Sequence, residues 1–164
     1  MLRSLVVGTR DTIAGTVYGT IIVLSVLTAG APAFEHNQWK LEIIAGLTVG
    51  VFWLAHVYTH ILGESIQEGH RLDHGELTVI ARRELAIPRA AVLPMVAIAL
   101  SAVGVLKTDT ALWLAVGIGV TTLVVQGVRF ARLERLSTIG MIVSVSINLA
   151  FGLALVVLKT VLAH

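Results

Sequence analysis

Apolar residues in this chain gather into five runs near twenty residues long, divided by short polar breaks. The runs predict helices over 12–27, 41–62, 88–106, 111–130 and 138–163. Each approaches the roughly 20 residues that carry an α-helix across a bilayer core of ~30 Å. Lipid offers bare backbone no hydrogen-bond partner, so helices that satisfy themselves are the natural solution. The runs are too continuous for the alternating pattern of barrel strands. GAP at 30–32 stops the first helix, Pro88 suits the opening turn of the third, and Pro94 predicts a kink within it. The expectation is an all-α, polytopic membrane helix bundle with five transmembrane helices, forming one domain over 1–164.

Near the start, an apolar stretch followed by AGAPA (29–33) imitates a signal peptide with its small-residue cleavage site. The apolar segment begins near Ile13 and is long enough to span, so it reads as a retained first membrane helix.

Composition agrees with a lipid setting. The chain is 56% hydrophobic and only 13% charged, with a mean hydropathy of +0.89; soluble domains are about a quarter charged. It contains no cysteine, which excludes disulfides, thiolate metal sites and thiol catalysis. A net charge of +2, scattered along the chain, gives no basis for nucleic-acid binding.

The charges also orient the bundle. With five spans, Arg3, Arg10, Arg71, Arg82, Arg83, Arg89, Arg129, Arg132 and Arg135 share one side, while Lys40, Lys107 and Lys159 share the other. By the positive-inside rule the N-terminus is cytoplasmic and the C-terminus outside. Four spans would break this sorting. The only sizeable extramembrane piece is the cytoplasmic loop 64–87. Its GELTVIARREL (75–85) reads either as a short amphipathic helix on the membrane surface or as an extension of the third helix broken before Pro88. An odd number of spans argues against a simple inverted repeat of the transporter type.

The candidate chemistry lies in WLAHVYTHILGES (53–65), at the cytoplasmic end of the second helix. Residues four apart on a helix share a face, so His56, His60 and Glu64 project together. Two imidazoles at this spacing, with a carboxylate as third ligand, can chelate a divalent metal such as zinc. The same trio can relay protons. The plain alternative is interfacial solvation beside Trp53 and Tyr58. His70 and His74 repeat the spacing in the loop among ordinary charges, and His36 and His164 fall on the opposite side.

On the first helix, Gly15 and Gly19 stand four apart, a spacing that lets helices approach closely. Thr12, Thr16, Tyr18 and Thr20 make that helix rich in hydroxyls, which raises a polar path as the other reading. Asn148 is the one deep amide of the fifth helix and must face protein or a cavity. No Asp, Glu, Lys or Arg lies near the centre of a span, which weighs against a proton-coupled carrier. Phosphate-loop, dinucleotide-glycine and serine-elbow motifs are absent. An enzyme would need the His–Glu cluster as its whole active site.

AHVYTHILGES, the Arg-rich loop after it and AAVLP (90–94) resemble the small multi-span membrane proteins of unknown function common in GC-rich actinobacteria. Arg10 with TVYGTIIVLSVL (16–27), and FWLAHVYTH (52–60), also resemble helices of the bacterial and lysosomal potassium-channel family marked by a Phe-Ser-Asp first-helix motif. That family implies potassium conduction. The motif core is missing here, Ala14-Gly15-Thr16 standing near its place, and no functional residue carries over.

Three functions follow as expectations for a protein of the bacterial plasma membrane: a small oligomeric ion-conducting or permeation protein, a non-catalytic membrane subunit or scaffold, and a metal-dependent membrane protein using His56, His60 and Glu64. The partners expected are the lipid bilayer and either further copies of the chain or a partner membrane subunit.

Overall fold

A computed structural model describes residues 2–34, 37–68 and 73–162, with side chains for 10–34, 37–67 and 73–161. The chain forms α1 (Leu2–Gly30), a short 3-10 turn (Pro32–Phe34), α2 (Gln38–Glu68), α3 (His74–Arg83), α4 (Ala86–Ala102), α5 (Thr108–Leu133) and α6 (Thr138–Leu162). No strand occurs among the described residues. Five stretches are long and apolar enough to cross a membrane: Arg10–Gly30, Gln38–Gln67, His74–Ala102, Thr108–Leu133 and Thr138–Val161. The all-helical, five-span architecture is therefore the one the hydropathy pattern predicts.

The helices outrun the apolar cores that announce them. At 31 residues, α2 is about 46 Å long, well beyond a hydrocarbon core of ~30 Å.

The first part of the third stretch is α3. Asp73 caps its start with a reciprocal box: Asp73 Oδ1 accepts from the Glu76 N–H at 2.8 Å, and Glu76 Oε2 accepts from the Asp73 N–H at 2.7 Å. Ile80 is buried, while Val79 and Arg82 face outward. Only Glu84 and Leu85 separate α3 from α4. Of the two alternatives read for this segment, each contributes something: α3 has an apolar and a charged side, and it leads into α4 across a break just ahead of Pro88.

Pro88 explains where the break falls. In a continuous helix the residue 88 N–H would bond the Glu84 carbonyl; proline has no N–H, and its ring clashes with the carbonyl four residues back. The Glu84 carbonyl accepts instead from Ile87 N–H at 3.1 Å.

At the centre of the bundle, α1 touches α2, α4, α5 and α6. Val23, Leu24 and Leu27 are buried there against Leu41 and Ala45 of α2, Ala97 and Ile98 of α4, and Ala111 and Ala115 of α5. Two glycines allow the approach of α4. A Cβ on Gly19 would lie 2.9 Å from Ile87 Cα and closer still to the Ile87 carbonyl oxygen, and one on Gly15 would lie 2.9 Å from Ala86 Cβ. The Gly15–Gly19 face is thus a packing surface that seats the first turn of α4.

Hydroxyls on α1 turn back on their own helix. Thr16, Thr20, Ser25 and Thr28 each donate to the carbonyl four residues earlier, at 2.7–2.8 Å. On α6, Ser144 Oγ donates across to the Gly127 carbonyl of α5 at 3.1 Å, where Gly127 lets the two backbones approach. The outer faces of α2 and α6 expose Leu47, Leu54, Ile142 and Leu153, the composition of a lipid-facing surface.

Candidate functional site: a His-His-Glu cluster at the α3–α4 break

His56 and His60 lie one turn apart on α2, with ring centroids 5.1 Å apart. The break after α3 places Glu84 against both of them. His60 Nδ1 is 2.9 Å from Glu84 Oε1, and His56 Nε2 is 3.7 Å from Glu84 Oε2. The imidazole side chains are 35% and 40% exposed, but that of Glu84 is only 3% exposed. One potential ligand atom from each residue lies within 4.8 Å of the others. In a tetrahedral zinc site, ligands held at ~2.0–2.2 Å stand about 3.3 Å apart. The two measured separations, which end on different oxygens of Glu84, lie on either side of that spacing.

Glu84 Oε1 has an unusual environment. No N–H is aligned on it, although His60 Nδ1 is close, so this buried oxygen has no hydrogen bond. A buried carboxylate without such a partner is costly unless a cation compensates it.

Glu64, the carboxylate adjacent to the histidines in sequence, is directed elsewhere. Its Oε1 accepts from Arg83 Nη1 at 3.4 Å, and Arg83 Nε lies 3.5 Å from Asp11 Oδ2 on α1. Arg83 therefore ties α1, α2 and the end of α3 together directly beside Glu84. Within this neighbourhood three carboxylates, Asp11, Glu64 and Glu84, meet one guanidinium. With neutral imidazoles the cluster holds an excess of two negative charges, which a divalent cation would neutralise.

Tyr18 of α1 completes the wall. Its ring is 5.1 Å from His56 and 6.1 Å from Phe52. A residue of the outer shell that fixes the orientation of a ligating imidazole is a recurring part of metal sites. Three protein donors would leave one position of a tetrahedral ion open to water or another ligand.

The other sequence candidates separate. Trp53 faces away, lining a groove with His74, Leu77 and Arg82. His74 is exposed at the start of α3, and His70, His36 and His164 lie outside the described residues. Gly15 and Gly19 seat α4, as described. Asn148 Nδ2 donates to the Ser144 carbonyl at 3.0 Å and faces a cleft between α1, α5 and α6.

Sequence reasoning missed Glu84, Arg83, Asp11 and Tyr18 as members of one site. The available signal was RRELAIP (82–88), in which a lone carboxylate stands four residues before a proline that interrupts the helix.

No family model matches this chain, and no curated protein or solved structure matches it either, so the two family resemblances rest on their residues alone.

Proposed function

We propose that this multi-pass membrane protein holds a divalent metal ion, of the class of zinc, through His56, His60 and Glu84. The arginine-bearing end faces the cytoplasm under this reading. The observation that carries it is the convergence of two imidazole nitrogens on a buried carboxylate whose Oε1 has no hydrogen bond. Nitrogen and oxygen donors in this proportion suit zinc and its first-row neighbours.

The test is metal content by mass spectrometry on protein purified without chelators. Wild type carries about one metal ion per chain, a count that follows from a single three-donor site. His56→Ala/His60→Ala and Glu84→Gln lose it, while Glu64→Gln keeps it. Equal metal in wild type and Glu84→Gln sinks the proposal. Because the chain has no cysteine, Ser137→Cys and Thr110→Cys report orientation directly. Ser137→Cys is labelled only from the cytoplasm and Thr110→Cys only from outside.

An ion-conducting assembly draws less support, because Thr16 and Thr20, two of the α1 hydroxyls that motivated a polar path, bond to their own helix. Cation flux into liposomes that is lost in Thr20→Val would reinstate that reading.

A further inference from the structure

On the side of α1 facing α5 and α6, an open cleft of about 760 Å³ runs inward from Arg10 and Glu134. Along α1 its wall extends from Arg10 to Ile21, a rise of about 16 Å. That is close to half the ~30 Å hydrocarbon core. The cleft therefore reaches from the membrane surface to the middle of the bilayer, and its volume falls in the range of small-molecule sites.

Two polar groups sit among its apolar walls. Gln126 is 6% exposed, and its Oε1 accepts from Arg129 Nη1 at 3.2 Å; its Nε2 donates to nothing among the described residues. Asn148 spends Nδ2 on the Ser144 carbonyl, and its Oδ1 likewise accepts nothing there. Hydrocarbon offers an amide no hydrogen bond, so the unused donor and acceptor facing one cleft favour an occupant that supplies one.

The mouth selects against an anion. Arg10 is held by Glu134 at 2.7 Å, and Asp11 beside it has only a share of Arg83, which Glu64 also contacts, so no lining cation is left over for an anionic headgroup. From this geometry we propose that the cleft binds one neutral amphiphile, a lipid carrying a carbonyl or hydroxyl oxygen. That oxygen accepts from Gln126 Nε2, and the hydrocarbon chain lies along Val17, Ile21 and Phe151. The site needs no ion at His56, His60 and Glu84, and it stands or falls independently of one.

The test uses the full chain in phosphatidylcholine nanodiscs with a monoacylglycerol that carries a diazirine in its chain. After photolysis, labels mapped by mass spectrometry concentrate on α1 around Val17–Ile21 and on Phe151, and excess unlabelled monoacylglycerol removes them. Gln126→Leu lowers capture about fivefold, as expected for one hydrogen bond. Ala14→Phe, which fills the cleft from an exposed position on α1, lowers it as well. Three results overturn the proposal: labels as dense on Leu47 and Leu54 of the outer α2 face as in the cleft, capture unchanged in both variants, or displacement by lysophosphatidic acid in preference to the neutral competitor. The first would mark ordinary surrounding lipid, and the last an anion site.

Discussion

Replacing Gly19 with alanine tests the packing on which the His-His-Glu cluster depends. The new Cβ would lie 2.9 Å from the Ile87 Cα and carbonyl carbon, inside the 3.4 Å at which ordinary contact begins, and nearer still to the carbonyl oxygen. The obstacle is backbone, so no side chain can swing aside; α1 and α4 must part by at least half an ångström. Overpacking of this kind costs about 1–3 kcal/mol, and rigid neighbours place it toward the top. Alanine returns about 1 kcal/mol in helix propensity, leaving a net loss of about 2 kcal/mol. For a chain of this size that is a fall in melting temperature of about 4–8 °C. Gly117 is the matched control: nothing lies within 4 Å of its Cβ position, so Gly117→Ala keeps only the propensity gain. Thermal unfolding in one detergent, followed by circular dichroism, reads both. Because Glu84 stands three residues before Ile87, Gly19→Ala also weakens metal binding while Gly117→Ala leaves it alone. If Gly19→Ala melts at or above Gly117→Ala, the seating of α4 on α1 described here is wrong.

Further outcomes follow from the same geometry. Pro88→Ala restores an N–H to the Glu84 carbonyl and heals the break. It should raise thermal stability yet weaken metal binding, by about 10–100-fold if it acts as an outer-shell change does, and titration with zinc against a competing chelator measures this. Lys159 is 7% exposed, bonded to Asp109 at 2.8 Å and set 3.9 Å above the Trp113 ring, whereas Asp109 is 77% exposed. Asp109→Asn should therefore cost more, about 1–3 kcal/mol, than Lys159→Met, which leaves no buried charge; a double-mutant cycle in thermal unfolding decides it. Arg135 adopts φ 52° after α5, where the Leu136 N–H bonds the Ala131 carbonyl at 2.9 Å. Arg135→Gly should relieve about 1–2 kcal/mol of left-handed strain, partly offset by unfolded-state entropy of about 0.4–1 kcal/mol. A melting temperature below that of wild type would refute it.

The spans were legible because lipid imposes a coarse rule: an apolar run of sufficient length must be helix. The pairing of His56 with His60 was legible for a similar local reason, since four residues return a helix nearly to the same direction. That reasoning weakens with distance. Each step of four adds about 40°, so Glu64 is turned about 80° from His56 and meets Arg83 instead. Glu84, which does face the histidines, is brought in by the break before Pro88, a tertiary event with no period to reveal it. Gly15 and Gly19 were visible as a close-packing pair, but only the fold identifies Ala86 and Ile87 as what they pack against. The Asn148 amide called for a protein or cavity partner; the cleft shared with Gln126 of another helix could not be read from either segment.

The self-contained hydroxyls of α1 bear on how the protein is assembled. In the chain, α1 precedes every helix it packs against, so during synthesis it enters the bilayer with no partner in place. A helix whose threonines and serines waited for neighbours would pass that interval with polar groups bare in lipid. Here each of Thr16, Thr20, Ser25 and Thr28 is already satisfied by its own backbone. The helix on which the later ones converge thus has these four hydroxyls satisfied before any later one arrives.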